Sequence, residues 1–452
     1  MQPQVIVNKT LIQQLLPFIN ELRPIISLAV PLVIGLSTST MMGLVDTYML
    51  GESGEAVLGA VSLTSSVLLI FYAALYGFIG PVGILVGQSF GAEQPRKIGD
   101  IVRHGLLIAF AAGSASAVLM IIGLLYILPH TGQPDDVMAV LPTYWLAMGV
   151  SLVAYSVSLV YKQFYDAIDR PWIGFLLTLL PVLANIGLNW LLIAGNAGFP
   201  ALGIVGAGIG SLIAQTLGVI FMTLHYRRST LTRAYRSAEG WRLSAFREQV
   251  REGVPMALQY LFEGGAVAVA GVLIGWLGTT ALAANQIVYS VSSMLYMLPL
   301  GMAGAVSIRV SQAAGGDEKN RIRSISYTAL VLVSIWTAVF TLMLFLLGDR
   351  IAALFVDEPQ VIIVAAATFI SVGLMQIFDG LQSVSLGALR GVLDNRWPTR
   401  ISLIGYWVIA LPLGYLLGFH LQLGPAGFWG GFGIGLAFAA VMLMRRLHSR
   451  FA

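Results

Sequence analysis

Three carboxylate side chains, Asp46, Glu263 and Asp379, stand inside stretches that are otherwise apolar. Ionisable groups in such surroundings are costly, and by default they face a partner or a water-filled cavity. No Lys, Arg or His lies within the apolar stretches themselves. The carboxyls must therefore be protonated, bind a metal cation, or face a positively charged solute. Each alternative links these residues to a cation or a proton.

Amide side chains accompany the carboxyls. Asn185 and Asn189 are four residues apart and so share a helix face, and other amides lie one turn from an acid. Plain interhelical hydrogen bonding would explain any single amide. Their convergence with the acids on several helices favours a binding role instead. The amides concerned are Asn185, Asn189, Gln259, Asn285, Gln286, Gln376 and Gln382.

The composition predicts where these residues lie. Of the 452 residues, 57% are hydrophobic and 10% are charged, against roughly 25% charged residues in a soluble domain. A soluble enzyme is therefore excluded. At about 20 residues per span, the apolar stretches predict an all-α integral membrane protein with twelve transmembrane helices. Cysteine is absent, which excludes disulfides and thiolate metal sites.

The placement of basic residues predicts the topology. Of the 25 Lys and Arg residues, 24 fall in the termini and alternate connections, and the opposite connections hold only Arg350. This asymmetry places both termini in the cytoplasm and requires an even number of spans. Seven arginines between 227 and 251 could be taken for a nucleic-acid patch. A cytoplasmic linker beside anionic lipid has the same composition, and we favour it.

The chain contains an internal repeat. Four pairs of identical residues match at one constant offset, and further matches keep the same order along the chain: Pro31 with Pro255, Ala60 with Ala284, Gln88 with Gln312, and Gly91 with Gly315. Six helices per half is an even number, so both halves enter the membrane from the same side and form a parallel pseudo-two-fold repeat. We predict two six-helix bundles, 1–224 and 254–452, joined by a cytoplasmic linker, 225–253.

Four segments together resemble the multidrug and toxic compound extrusion (MATE) family, in particular its NorM-like branch. They are PLVIGLSTSTMMGLVDTYMLG near the N-terminus, VPMALQYLFEGG at 254–265, AANQIVYSVSSMLYMLPLGMAGAVSIRVSQ at 283–312 and IFDGLQSVSLGALRG at 377–391. The resemblance covers almost the whole chain.

The resemblance implies a V-shaped pair of bundles and a cation-coupled antiporter that exports lipophilic organic cations. It implies a proton or substrate site in the N-terminal bundle and a cation site in the C-terminal bundle. With the amides above, we assign Asp46, Asn185, Asn189 and Asn285 to the first site, and Glu263, Asp379 and Gln286 to the second.

One departure from the family bears on the coupling ion. Some NorM members have a tyrosine one turn before the second acid, where this chain has Met375. Carboxylates with amides serve protons or sodium equally well. If sodium is the coupling ion, Glu263 and Asp379 are its direct ligands. No cofactor is expected beyond the ion.

Two rival functions draw on the same features. A flippase for lipid-linked precursors would normally line its cleft with basic residues, which these spans lack. An intramembrane aspartyl protease needs two aspartates that share a proton, but Phe378 precedes Asp379 where a Gly-x-Gly-Asp context is expected.

The sequence thus predicts a transporter, not an enzyme, in a bacterial cytoplasmic (inner) membrane. We expect it to be a multi-pass monomer with both termini in the cytoplasm. Its expected partners are small cationic drugs and dyes and membrane lipids, with no nucleic acid.

Overall fold

The computed structural model describes residues 9–51, 54–236 and 240–451, and within them every side chain except those of 9–16, 37–42 and 44. The described part contains twelve helices that are long and apolar enough to cross a membrane, as predicted. They are α1 (Lys9–Leu50), α2 (Glu55–Gly91), α3 (Pro95–His130), α4 (Asp135–Ala167), α5 (Pro171–Leu192), α6 (Ile204–Arg228), α7 (Leu243–Gly275), α8 (Thr279–Gly315), α9 (Lys319–Ala353), α10 (Pro359–Gly391), α11 (Arg396–His420) and α12 (Gly424–Phe451).

Proline and glycine set several helix boundaries. Pro95, Pro171 and Pro359 each occupy the first turn of a helix, where a missing N–H costs nothing and a fixed φ suits the helix. Within α2, Pro81 follows a turn at Gly80. Proline lacks the N–H that would continue the hydrogen-bond ladder, so the ladder of α2 is interrupted there.

Two helices contain π-helical segments. One lies in α3 at Gly123–Ile127, and α11 contains two, at Ile404–Ala410 and Leu416–His420. A π-helical turn holds an extra residue and so rotates the side chains that follow onto a different face. Sequence periodicity does not reveal such a rotation.

The predicted internal repeat is present in the backbone. Residues with positive φ angles occur at equivalent positions in the connections of the two halves. Their spacing along the chain is the same as that between Pro31 and Pro255. Gly54 and its counterpart Gly278 have φ of 102° and 109°. Glu93 and its counterpart Asp317 both have φ of 55°. Left-handed backbone is uncommon for residues other than glycine, so its recurrence at matching positions indicates two copies of one structural plan.

The glycines repeated in the sixth and twelfth helices serve close packing. A Cβ atom on Gly206 would collide with the backbone of Leu192 in α5, and one on Gly427 would collide with the backbone of Leu417 in α11. Both positions let two helix backbones approach closely. The two glycines therefore serve helix packing at equivalent places in the two halves.

By packing, the chain divides into two units that do not follow the repeat boundary. The N-terminal unit comprises Ile34–Leu261, and the C-terminal unit comprises the residues up to Val33 together with Phe262–Ala452. Each of the long helices α1 and α7 therefore contributes its two ends to different units. The predicted bundles, 1–224 and 254–452, describe the duplication instead, and as domains they stay a prediction.

Candidate cation-binding sites

The N-terminal unit brings Asp46 together with both asparagines predicted to accompany it. The amide nitrogen of Asn189 donates to Asp46 Oδ1 at 2.5 Å and to Asn185 Oδ1 at 3.2 Å. Asn185 in turn donates from Nδ2 to Ser211 Oγ at 2.9 Å. Because Asn185 and Asn189 are one turn apart on α5, a single helix face supplies both amides. The result is one chain of hydrogen bonds that starts at the carboxylate.

One acceptor in this chain is left open. Asn189 uses its NH₂ group for two bonds, whereas its Oδ1 is buried with no hydrogen-bond donor among the described residues. A Cβ atom on Gly210 would lie 2.7 Å from that oxygen, so only glycine leaves room beside it. An unsatisfied buried acceptor costs about 1–3 kcal/mol. A positively charged group that reached this oxygen would remove that cost.

The C-terminal unit holds the second site, built around Glu263 on α7. Tyr296 on α8 donates from its hydroxyl to Glu263 Oε1 at 3.4 Å, and the same hydroxyl lies 2.7 Å from Ser383 Oγ on α10. The hydroxyl of Tyr406 on α11 also hydrogen-bonds with Glu263. Three neighbouring helices therefore place hydroxyl groups around one half-buried carboxylate.

Asp379 lies beside this network on α10. Its side chain is only 9% exposed, and the charge of Glu263 repels it. Within the described residues, no donor reaches Asp379 Oδ1 or the amide oxygen of Gln382. A second carboxylate beside Glu263, with one of its oxygens and the amide oxygen of Gln382 lacking donors, forms an arrangement that a positive charge would stabilise. A proton or a hard cation such as Na⁺, which prefers oxygen ligands, satisfies this requirement.

The prediction that the carboxyls have no basic partner is wrong for Glu263. Arg390 lies in the last turn of α10, is buried, and acts electrostatically on Glu263. The apolar stretch of the tenth helix ends before Arg390, so hydropathy alone assigns this residue to the connection that follows. The helix runs on past that stretch, and a long arginine side chain keeps its charge near groups at a distance from its own Cα.

Asn285 and Asp46, which the sequence groups in one site, belong to different packing units, so this assignment stays a prediction. Asn285 belongs to the C-terminal unit, where its Oδ1 accepts a hydrogen bond from Trp429 Nε1 at 2.8 Å. Asp46, with which the sequence grouped it, belongs to the N-terminal unit. Gln286 is exposed and makes no side-chain hydrogen bond to Glu263 or Asp379. Both assignments rest on polarity alone and stay predictions; positions 285 and 286 point about 100° apart on the helix.

Met375 lies in the apolar core of the C-terminal unit and is 7% exposed. Nearby, Gln376 donates from Nε2 to the Ser292 carbonyl at 3.2 Å, which ties α10 to α8. The hydroxyl that some relatives have at position 375 is therefore missing there. Tyr296 and Tyr406 provide hydroxyls to Glu263 from other helices.

The sequence reading missed four residues of the two sites. Ser211, Tyr296 and Tyr406 contact the predicted amides and acids, and Ser383 contacts the hydroxyl of Tyr296. Ser383 could have been found, because it stands one turn after Asp379 and so shares its face. The tyrosines carry no such signal, since membrane helices use this residue widely at their ends.

Metal ligands of the usual kinds are sparse in the described ranges, where no group of three or more His, Cys, Asp or Glu could hold an ion. Any cation at Glu263 and Asp379 would need further oxygen ligands from hydroxyl, amide or carbonyl groups. Transition metals, which favour imidazole and thiolate ligands, fit this donor set poorly. An alkali-metal ion or a proton fits it better.

Comparison with known families gives a match across most of the chain. The MatE family model matches residues 31–191 and again residues 255–416. The two matches begin at positions 31 and 255, the positions of the paired prolines, so they reproduce the repeat found in the sequence and in the backbone.

Solved structures share this fold at low sequence identity. The eukaryotic MATE transporter AtDTX14 has 22% identity, a TM-score of 0.85 and coverage of 96% of each chain. The Vibrio cholerae MATE transporter VcmN in a bent form has 18% identity and a TM-score of 0.85, covering 96% of this chain and 98% of its own. A MATE structure in the bent conformation has 16% identity and a TM-score of 0.87, covering 96% of this chain and 97% of its own.

Proposed function

The chain belongs to the MatE family of membrane transporters, and from that premise we propose that it exports lipophilic organic cations in exchange for Na⁺ or H⁺. The observation that carries the proposal is the set of buried acceptor oxygens without donors, on Asp379 and Gln382 in one unit and on Asn189 in the other. Each set lies beside a carboxylate. Both sites would gain stability from a positive charge, and the contacts described for each site lie within one unit.

The C-terminal site suits the coupling ion. Glu263 and Asp379 are close enough to repel each other, and the hydroxyls of Tyr296 and Tyr406 complete a compact set of oxygens. Arg390 offsets part of the negative charge of Glu263. One added proton or Na⁺ would then remove the remaining repulsion, which makes occupancy sensitive to the concentration of that ion.

The N-terminal site suits the organic cation or a proton. Asp46 is 6% exposed and is held by the amide of Asn189. A carboxylate at membrane depth attracts a lipophilic cation, because the apolar surroundings strengthen the interaction between charges. In the proposed cycle, alternating access exposes this site to the cytoplasm and then to the outside, and the ion gradient drives release.

A flippase for lipid-linked precursors is the second candidate. Such a protein would hold a pyrophosphate group with several basic side chains. Arg390 is a buried basic residue at the C-terminal site, but it is already engaged with Glu263. The donor-poor oxygens at both sites would repel a pyrophosphate. The exporter therefore accounts for the chemistry of the sites better than the flippase does.

We propose that the protein lies in a bacterial cytoplasmic (inner) membrane with both termini in the cytoplasm. The distribution of basic residues supports this orientation. We propose that it acts as a monomer and that its partners are small cationic drugs and dyes and the surrounding lipids. The coupling ion is the only further component that the cycle requires.

Dye transport by purified protein in liposomes tests the proposal. A sodium gradient and a pH gradient are imposed separately, and the uptake or release of ethidium is followed by fluorescence. Transport driven by sodium alone would make Glu263 and Asp379 metal ligands, whereas transport driven only by the pH gradient would make them proton carriers. If neither gradient moves the dye, and liposomes with a known exporter do move it, cation-coupled export is wrong.

A further inference from the structure

A cavity of about 330 Å³ lies in the C-terminal unit, between the first half of α9 and the last turns of α12. Three of its lining residues are apolar, and the other three carry a hydroxyl or a basic group. The apolar residues are Leu330, Met444 and Leu447, and the others are Tyr327, Arg445 and His448. Leu330 and Leu447 are buried, whereas Arg445 and His448 are exposed. The cavity therefore has an apolar interior and a basic rim.

A second arginine approaches this rim from α9. Arg323 and Tyr327 are four residues apart on that helix and so share one face. The Cζ atom of Arg323 lies 5.8 Å from the centroid of the Tyr327 ring, a distance at which a guanidinium group interacts favourably with the ring. Arg323 is exposed. We call Arg323, Arg445 and His448 the basic edge of the cavity.

Tyr327 links the two helices at the basic edge. Its hydroxyl lies 3.0 Å from Nδ1 of His448 on α12, which is hydrogen-bond distance. When the hydroxyl donates, the hydrogen of the neutral imidazole lies on Nε2. Nε2 is then a donor that can meet an acceptor in the cavity, alongside the two guanidinium groups.

The protein neutralises neighbouring arginines but not the basic edge. Arg321 contacts Glu21 at 2.8 Å and Glu318 at 3.0 Å, and Arg446 contacts Asp394 at 2.9 Å. Among the described residues, by contrast, no carboxylate forms an ion pair with the basic edge. An anion from outside the protein would balance the charges there.

An apolar surface continues from the cavity along α9. Val331 and Ile335 follow Tyr327 at steps of four residues, so they lie on its face of the helix. They are 60% and 58% exposed. The basic edge stands near the ends of α9 and α12, and this surface leads from it toward the middle of the membrane. The order of charge and apolar surface is that of a lipid headgroup above its acyl chain.

We propose that this cavity binds an anionic phospholipid, with its phosphate at the basic edge and an acyl chain against the apolar residues of α9 and α12. Arginine binds phosphate oxygens in a bidentate manner, and basic pockets between membrane helices bind anionic headgroups. A soluble phosphate ester would leave the apolar part of the cavity uncovered, so the lipid is the better ligand. In the proposed orientation the site lies in the cytoplasmic leaflet. The inference goes beyond export and depends on no step of it.

Lipid binding is measured on the purified full-length protein in detergent by native mass spectrometry, with phosphatidylglycerol and phosphatidylcholine of the same acyl chains. We expect one phosphatidylglycerol to bind with a dissociation constant about tenfold or more below that of phosphatidylcholine, whose headgroup has no net charge. Arg323→Gln and Arg445→Gln should each raise the dissociation constant for phosphatidylglycerol roughly fivefold, and the double variant should raise it by more than about tenfold.

Arg450→Gln is the matched control, because Arg450 is exposed on the same helix as Arg445 but does not line the cavity. It should bind phosphatidylglycerol as the wild-type protein does. Arg445→Lys keeps the positive charge and should stay within about threefold of the wild-type value. Glycerol 3-phosphate has the charge of the headgroup without acyl chains, so an excess of it should leave the lipid bound. Size-exclusion chromatography confirms that each variant is folded.

The proposal is overturned if the wild-type protein binds both lipids equally, a test that does not depend on any variant. It is also overturned if neither glutamine variant at the basic edge weakens binding, or if Arg450→Gln weakens it as much as Arg445→Gln does. Displacement of the lipid by glycerol 3-phosphate would show a soluble phosphate site in place of a lipid site. The measurement needs no substrate and no ion gradient. Its failure therefore leaves the exporter intact, and a failure of dye transport leaves the lipid site intact.

Discussion

At the residue scale, the two sites share one chemical feature. Carboxylate and amide oxygens are buried where the donors of the described residues do not reach them, as for Asp379 Oδ1 and Asn189 Oδ1. Proteins pair the great majority of buried polar atoms. A buried acceptor oxygen without a donor, beside a carboxylate, is thus a position that a bound proton or cation would stabilise.

Neutralising the C-terminal carboxyls should abolish coupling without disturbing the fold. In Glu263→Gln the amide oxygen can still accept from Tyr296, and Asp379→Asn keeps the size of the side chain. Both variants lack the charge that holds the coupling ion. We expect gradient-driven ethidium transport in liposomes to fall at least tenfold, because charged hydrogen bonds contribute about 1.5–3 kcal/mol.

Glu358→Gln is the matched control for that experiment. Glu358 precedes α10, is exposed, and caps the helix without a side-chain hydrogen bond. Its transport rate and membrane level should equal those of the wild-type protein. Unchanged drug resistance in cells that carry Glu263→Gln or Asp379→Asn would remove the C-terminal site from the mechanism.

Asp46→Asn should impair substrate binding more than it impairs coupling. The new amide can still accept from Asn189, so the hydrogen-bond chain to Asn185 and Ser211 is retained while the negative charge is lost. We expect the dissociation constant for ethidium to rise roughly tenfold or more. Ion dependence is measured separately, as ²²Na⁺ binding or as proton release. Equal losses in dye and ion binding would show that the two sites do not divide the work as proposed.

The sequence could reveal the acids and the asparagines but not their hydroxyl partners. A carboxyl or an amide in an apolar stretch stands out because burying it is costly. Tyr296 and Tyr406 do not stand out, since a tyrosine buries its ring readily. For Asn285 the polarity is visible in the sequence, but its pairing with Trp429 depends on how two helices pack.

At the element scale, α11 holds the C-terminal site in place through consecutive side chains of one π-helical segment. Tyr406 reaches Glu263 and receives a long bond of 3.5 Å from Gln382 Nε2. Trp407 donates from Nε1 to the Phe262 carbonyl at 2.9 Å. The two side chains therefore bind neighbouring residues of α7, Tyr406 to Glu263 and Trp407 to Phe262. The sequence predicts the helix, but not the extra residue per turn that aims these two side chains.

Tyr406→Phe and Trp407→Phe should therefore separate ion binding from anchoring. Tyr406→Phe removes a hydroxyl from a carboxylate, and we expect the coupling-ion concentration for half-maximal transport to rise roughly tenfold. Trp407→Phe removes one hydrogen bond to the backbone, so it should lower the free energy of unfolding by about 1 kcal/mol and leave the ion dependence unchanged. A shift in ion dependence with Trp407→Phe alone would show that the anchoring of α11, and not the hydroxyl, controls the site.

At the scale of the whole molecule, the repeat is the feature that sequence reading recovers best. One constant offset relates the matched residues, the positive φ angles at Gly54 and Gly278, and the starts of the two family matches. Duplication preserves spacing because every helix must still cross the same thickness of lipid. The packing units are different, since α1 and α7 each contribute to both. Long helices that bend or change partners leave no mark in a hydropathy pattern.

The proposed orientation can be tested by labelling single introduced cysteines. The chain has no cysteine of its own, so no other residue would react with the label. Thr230 lies in the arginine-rich connection between α6 and α7, and Asp357 lies in the connection between α9 and α10; both are exposed. The basic connection should stay in the cytoplasm because Lys and Arg resist translocation. In spheroplasts, an impermeant maleimide should label Asp357→Cys at once and Thr230→Cys only after permeabilisation. The reverse pattern, in variants that still confer drug resistance, would place both termini outside and would overturn the proposed orientation.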